Sequence, residues 1–113
     1  MATRIIRLYG TLTASQADIV LTGSPISPPS GIKWTVVEYR PALTDAGHID
    51  CYFDTEKYHT LVQEVTNQVA QPRVVALDIV QPHQLRVLCT DDSGNGLDAE
   101  LEVTVEESPQ SGG

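Results

Sequence analysis

The stretch 97-LDAELEVTVE-106 alternates without a break between apolar and polar residues. Its apolar members are Leu97, Ala99, Leu101, Val103 and Val105, and its polar members are Asp98, Glu100, Glu102, Thr104 and Glu106. A period of two places successive side chains on opposite faces of a β-strand. The segment therefore predicts a strand with one buried aliphatic face and one solvated, acidic face.

A weaker form of the same alternation marks six further segments. They are 4–12, 18–22, 32–39, 48–53, 74–80 and 85–90. Pro41 is expected to end the third of them, because proline has no N–H for a sheet ladder. The chain lacks the regular strand–helix alternation of a parallel βαβ fold. We therefore predict a mainly β (α+β) protein, an antiparallel β-sandwich or sheet of about seven strands.

One segment changes its period and predicts the only helix. Its apolar residues recur at spacings of three and four, which is typical of an amphipathic helix. They are Tyr58, Leu61, Val62, Val65 and Val69. Asp54 or Thr55 can cap the first turn, and Pro72 ends the element. The predicted helix spans about 55–70 and packs on one face or one end of the sheet.

Length and composition indicate an ordinary small globular protein. The chain has 113 residues, of which 41% are hydrophobic and 19% are charged, and a chain of this size can bury a core without covalent crosslinks. We predict a single compact β-rich domain over 1–107. The small, polar residues 108–113 are expected to form a flexible C-terminal tail.

Charge and hydropathy limit the partners that we expect. The net charge is −8, from 15 acidic and 7 basic residues, and the basic residues are scattered, so nucleic acid is not an expected partner. No stretch approaches the roughly 20 apolar residues of a membrane span, and no signal-peptide core is present at the N-terminus. We expect synthesis and retention in the cytoplasm, where Cys51 and Cys89 stay reduced and buried.

The segment after residue 90 offers oxygen ligands at alternating positions. Asp91, Ser93, Asn95 and Glu102 have a spacing close to that of a calcium-binding loop, with Gly96 at the sharp turn. The flanking segments alternate as strands, however, whereas an EF-hand loop lies between helices. The four residues are kept as candidate calcium ligands, and no other metal or cofactor site is predicted.

A β-hairpin is the competing interpretation of the same segment. A three-residue loop over 94–96 would place Cys89 opposite Leu101 and Val87 opposite Val103. The apolar faces of the two strands would then lie on the same side of the hairpin. A two-residue loop would instead place them on opposite sides. We favour the hairpin.

Three prolines mark an exposed, semi-rigid loop over Ser24–Ser30, because proline interrupts both helices and ladders. Pro25, Ile26, Pro28 and Pro29 are the candidate contacts to a partner protein. Ile26 has two interpretations, a plug for the core or an exposed contact.

No catalytic constellation is apparent, and we expect a protein that is not an enzyme and binds no cofactor. His48 and Asp50 share a strand face, but Cys51 points the other way, so the three do not form a nucleophilic unit. His59 falls on the polar side of the predicted helix, and His83 lies in a proline-bounded turn.

A small acidic β domain without chemistry predicts a protein that works by presenting a surface. The main hypothesis is a structural module that docks on a larger protein assembly, most concretely a phage capsid decoration or other virion accessory protein. The proline loop and the edge of the N-terminal strand are its expected contacts, and a homo-oligomer is compatible with this role.

Two alternatives follow from other features. In the first, the protein is an acidic inhibitor that binds the basic site of a nucleic-acid-handling protein through the polar face of the strand 97–106. The acidic residues of that face are Asp98, Glu100, Glu102 and Glu106. A calcium- or sugar-binding module is the other, and a cluster of aromatic residues on one surface would favour sugar.

Overall fold

The computed structural model describes residues 2–64 and 71–109, which form eight strands. The strands are β1 (Ala2–Leu12), β2 (Ile19–Val20), β3 (Ile32–Leu43), β4 (Gly47–Phe53), β5 (Glu56–Gln63), β6 (Arg73–Val80), β7 (Leu85–Asp91) and β8 (Leu97–Pro109). The prediction of a mainly β protein with antiparallel sheets is confirmed. Among these residues no helix is long and apolar enough to cross a bilayer.

The strands form two four-stranded sheets with a nested order. Sheet A has the order β1-β8-β3-β6 and sheet B the order β2-β7-β4-β5. The pairs β1–β8, β2–β7, β3–β6 and β4–β5 are all antiparallel. Each strand of the first half of the chain thus pairs with a strand of the second half, taken in reverse order. Two of these four pairs belong to each sheet. This is the arrangement of a jelly-roll sandwich.

The core lies between the inner faces of the two sheets. The apolar residues of β8 are all buried, and its polar residues from Asp98 to Glu106 are partly or fully exposed, as the alternation predicts. Sheet B contributes Ile49, Val87 and both cysteines, all fully buried. The cysteines are free thiols, as expected. Burial raises the pKa of each to about 12, so both thiols are unreactive in the folded state.

The predicted helix over about 55–70 is wrong over its described part, where β5 takes its place and makes eight strands instead of seven. The β4–β5 pair has a β-bulge, since Cys51 pairs with His59 but Tyr52 pairs with Lys57. The extra residue is Tyr58. From Tyr58 to Gln63 the strand alternates normally, with Tyr58 and Val62 exposed and Leu61 buried. Apolar residues on both faces of this strand therefore produced the spacings of three and four that suggested a helix. Val65 and Val69 lie outside the described residues.

The predicted hairpin between β7 and β8 is also wrong, because the two strands belong to different sheets. Cys89 pairs with Ile49, not with Leu101, and Val87 pairs with Cys51. Two strands that face each other across a sandwich core also direct their apolar faces toward one another. The matching of faces therefore could not distinguish a hairpin from a connection between layers.

Two predicted boundaries also differ from the structure. β3 continues through Pro41, which pairs with Leu101 of β8. Proline is tolerated there because β6 begins at Arg73, opposite Tyr39, so β3 has no second neighbour at residue 41 among the described residues. β8 runs to Pro109, so the first two residues of the predicted tail belong to a strand. Residues 110–113 lie outside the described part.

Candidate docking surface at the loop end

Three connections meet at one end of the sandwich, which we call the loop end: residues 21–31, the turn 54–55 and residues 81–84. The main chains of Ile26 and Leu85 exchange two hydrogen bonds, of 2.9 and 2.8 Å. Ser27 Oγ donates to the carbonyl of His83 over 2.8 Å. The middle of the predicted proline loop is thus held by the start of β7 and by the connection that precedes it.

The structure divides the four predicted contact residues of the proline loop into two pairs. Ile26, at 6% exposure, and Pro28 are buried, whereas Pro25 and Pro29 are exposed. Of the two interpretations of Ile26, the core plug is therefore the one that the structure has. The buried pair anchors the loop, and the exposed pair is available to a partner.

Asp54 fastens the β4–β5 turn to the β6–β7 connection. Its carboxylate accepts hydrogen bonds from His83 Nδ1 at 2.6 Å and from the Gln84 N–H at 3.0 Å. Its own N–H donates to the Gln84 carbonyl. The hydrogen bond from His83, and next that from Gln84, lower the pKa of Asp54. Since Nδ1 donates to the carboxylate, Nε2 is the ring nitrogen of this half-exposed imidazole that is left for another partner.

Aromatic rings cover the same end. Phe53 stacks on His83 with ring centroids 5.2 Å apart, and Tyr58 lies 5.6 Å from Phe53. Tyr58 is 47% exposed. Sequence reasoning missed this cluster because Tyr58 was placed on a helix and His83 is distant along the chain. The only local signal is that Phe53 and Tyr58 flank the Asp54 turn.

The structure brings only three of the four candidate calcium ligands together. Asp91 is the last residue of β7, and Ser93 and Asn95 lie in the β7–β8 connection. Glu102 is five residues along β8 from Leu97, about 17 Å away at the usual rise of a strand. Within the described part of the chain, no three His, Cys, Asp or Glu side chains are placed to hold a metal ion.

The Asp91 carboxylate is already occupied by donors of the protein. One oxygen accepts from the N–H groups of Ser15 and Gly96, both at 2.8 Å. The other accepts from the Ser93 N–H at 2.9 Å and the Ser93 hydroxyl at 2.5 Å. These bonds, that of the Ser93 hydroxyl first, hold the pKa of Asp91 far below its usual range. Four donors match the four lone-pair positions of a carboxylate, so the geometry is that of a loop cap.

His48 and Asp50 do share the outer face of sheet B, in a cluster of polar side chains in mutual contact. His48 Nδ1 lies 2.7 Å from Asp92, and its Nε2 lies 3.5 Å from Asp50. Asp50 is buried and accepts a hydrogen bond from the Thr60 hydroxyl at 2.8 Å. Cys51 points into the core, as predicted. The cluster is satisfied internally and offers no activated nucleophile.

His59 was assigned to the polar side of a helix, and that assignment is wrong. It lies on β5, paired with Cys51, and its Nδ1 is 3.2 Å from the Tyr39 hydroxyl. Burial, and next the nearby charge of Arg73, lower the pKa of His59. This histidine belongs to a polar contact at the edge of the core.

The acidic residues of β8 lie on the outer face of sheet A and are partly neutralised. Arg7 contacts both carboxylate oxygens of Glu100, at 2.8 and 2.9 Å. Glu102 stands between Arg7 and Arg40 in the strand register.

Comparisons with protein-family models, with curated proteins and with solved structures gave no match to this chain. Function has to be argued from the surfaces themselves.

Proposed function

We propose that this protein is a non-enzymatic interaction module that docks on a larger protein assembly through its loop end. The observation that carries the proposal is the joining of three connections into one surface by Asp54, Ser27 and the Ile26–Leu85 bridge. A surface that is already ordered loses little conformational entropy on binding. Its exposed side chains, including Tyr58, Pro25 and Pro29, are of kinds that suit protein contacts.

The most concrete form of the proposal is an accessory protein of a viral particle, such as a capsid decoration. Jelly-roll sandwiches are used by viral capsid proteins and also by lectins. This support is an analogy of fold, and function depends on the site. In this form the chain is made in the cytoplasm and is then carried on the virion.

Cosedimentation tests the proposal. Particles from the source of the chain would be mixed with the wild-type protein, with Tyr58→Ser and with Pro29→Glu. The control is Tyr9→Ser, because Tyr9 is 50% exposed and Tyr58 is 47% exposed, but Tyr9 lies on β1. We expect Tyr58→Ser and Pro29→Glu to weaken binding at least tenfold and the control to bind like the wild type.

Two results would contradict the proposal in different ways. Equal binding of all four proteins would exclude the loop end as the contact surface. No binding of the wild-type protein to the particles would exclude the virion form.

Sugar binding at the same end is the second candidate function. Trp34 and Tyr39 are buried in the core, but Phe53, Tyr58 and His83 gather at the loop end, and such a cluster is what sugar binding requires. Titration calorimetry with soluble oligosaccharides distinguishes the two functions. Binding that is lost in Tyr58→Ser and kept in Tyr9→Ser would favour sugar, and no heat at millimolar sugar would exclude it.

The acidic inhibitor has less support from the structure. Glu100 is committed to Arg7, which leaves fewer free carboxylates on that face than the sequence suggested. An inhibitor of this kind would bind a basic protein with strong dependence on salt concentration. Glu102→Lys combined with Glu106→Lys should then abolish the binding, and unchanged affinity would exclude the idea.

A further inference from the structure

The two sheets have four edge strands in the described part of the chain, and β1 differs from the other three. β2 has only two residues. β5 carries the bulge at Tyr58, and β6 faces a bulge in β3 between Val36 and Glu38. β1 has 11 residues in continuous register with β8. A long, regular edge is the geometry on which another strand can pair.

The backbone groups that β1 directs outward can be identified. The main chains of Tyr9 and Thr22 exchange hydrogen bonds of 3.3 and 2.6 Å, so the backbone of Tyr9 points away from β8. In an antiparallel ladder alternate residues point the same way. Thr3, Ile5 and Arg7 therefore also direct their N–H and C=O groups away from β8, and no described strand pairs with them on that side.

We infer that two copies of this chain pair antiparallel along β1, around a two-fold axis at Ile5. Ile5 meets Ile5 of the second copy, and Thr3 meets Arg7 of the second copy. Three outward-facing residues of each chain then exchange backbone hydrogen bonds. The two sheets A join into one sheet of eight strands, and Ile5, which is 62% exposed in the single chain, becomes covered by its symmetry mate.

Charge and backbone occupancy favour this register over those with an axis at Arg4, Ile6 or Arg7. An axis at Arg4 or at Arg7 would set two guanidinium groups directly opposite each other, which is unfavourable. An axis at Ile6 would pair Thr3 with Tyr9, whose backbone is already bonded to Thr22. With the axis at Ile5, Arg4 faces Ile6 of the second copy and no like charges are opposed.

A second copy fits this edge better than a strongly charged partner strand. The net charge of −8 would oppose self-association at a fully acidic surface. At β1, however, Arg7 is paired with Glu100 and Arg4 with Glu107 in the same chain. The edge is locally neutral, so it neither repels an identical edge nor attracts a highly charged one.

The test is the mass in solution of variants at the axis. Sedimentation velocity from about 1 to 100 µM should give a wild-type dimer of twice the chain mass. Ile5→Lys and Ile5→Glu should each weaken dimerisation at least tenfold, because like charges then meet at the axis. An equal mixture of the two variants should recover the dimer, because the opposed charges are now opposite in sign.

Val62→Lys is the matched control, because Val62 is 60% exposed but lies on β5. It should stay dimeric, and thermal melts should show that all variants are folded. Recovery in the mixture separates a lost contact from a lost fold. A monomeric wild type at every concentration overturns the inference, and so does dimerisation that survives in both Ile5 variants. Tyr58→Ser should keep its dimer mass, so this result is independent of docking at the loop end.

Discussion

Asp91 and Asp54 lie at opposite ends of sheet B, and each organises a connection in a different way. The carboxylate of Asp91 is buried and receives four hydrogen bonds from three residues. The carboxylate of Asp54 is partly exposed and holds the ring of His83. The first has no capacity left for anything outside the chain, whereas the second orients an imidazole at the surface. Asp91 is expected to matter for stability, and Asp54 for recognition.

Replacing Asp91 should have the largest effect on stability. Asp91→Ala leaves the partly buried N–H groups of Ser15, Ser93 and Gly96 without their acceptor, and donors shielded from water are costly to leave unpaired. We expect the melting temperature to fall by about 10 °C or more, with a smaller fall for Asp91→Asn, which keeps one oxygen. Asp92→Ala is the control, since the neighbouring exposed carboxylate contacts His48. Equal effects of Asp91→Ala and Asp92→Ala would refute the cap.

Acid should destabilise the protein mainly through Asp91. The folded-state pKa of both carboxylates lies below that of the unfolded chain. Their stabilisation is therefore complete above about pH 4, the ordinary pKa of an aspartate, and is lost as the pH falls through the folded pKa values. Melting temperatures between pH 2 and 7 should fall below pH 4. Asp91→Asn should flatten this dependence more than Asp54→Asn, and the reverse order would contradict the comparison.

The next largest effect is expected at Gly96, which donates to Asp91. Its φ is +80°, and a Cβ there would lie 2.7 Å from the carbonyl oxygen of Leu12. Gly31 has a similar φ of +83° but no atom within 4 Å of the added Cβ. Gly31→Ala should cost about 1 kcal/mol for the backbone conformation alone. Urea unfolding should show a clearly larger loss for Gly96→Ala, and equal losses would mean that the loop is not tightly packed.

The smallest effect on stability is expected at Asp54. Asp54→Asn weakens a partly exposed contact between the carboxylate and His83, and such surface pairs contribute little. The melting temperature should change by about 3 °C or less, while binding to particles in the cosedimentation assay should weaken. A fall as large as that of Asp91→Ala would show that Asp54 is a structural cap too.

The alternation of β8 was enough to predict its buried and exposed faces, because every second residue is aliphatic. The same logic located β1, β4, β6 and β7 to within a few residues. It failed at β5, where the exposed Tyr58 and Val62 and the buried Leu61 are all apolar, so the sequence does not alternate in polarity although the strand alternates in burial. It also gave β7 the wrong partner strand. The alternation shows which residues share a face of one strand, but it does not show which sheet that strand joins.

The loop end could be predicted only in part. The prolines predicted an exposed, semi-rigid loop over 24–30, and the structure has no helix or named strand there. Ile26 nevertheless forms an isolated β-bridge with Leu85 and is buried. The contacts that build the surface join Asp54 to His83, 29 residues apart, and Ser27 to His83, 56 residues apart. Such pairs depend on topology, and local patterns carry no information about them.

The position of β8 between β1 and β3 has a consequence for synthesis. β1 pairs with β8 in sheet A, and Arg7 binds Glu100 across a separation of 93 residues. Until β8 has been synthesised, β1 has no strand to pair with in sheet A. The sheet also lacks the strand that joins β1 to β3. We therefore expect sheet A to form only after residues 2–109 have all been synthesised, and slowly for a domain of this size, as high contact order implies. Chains that stop before residue 97 should be taken up by chaperones or degraded.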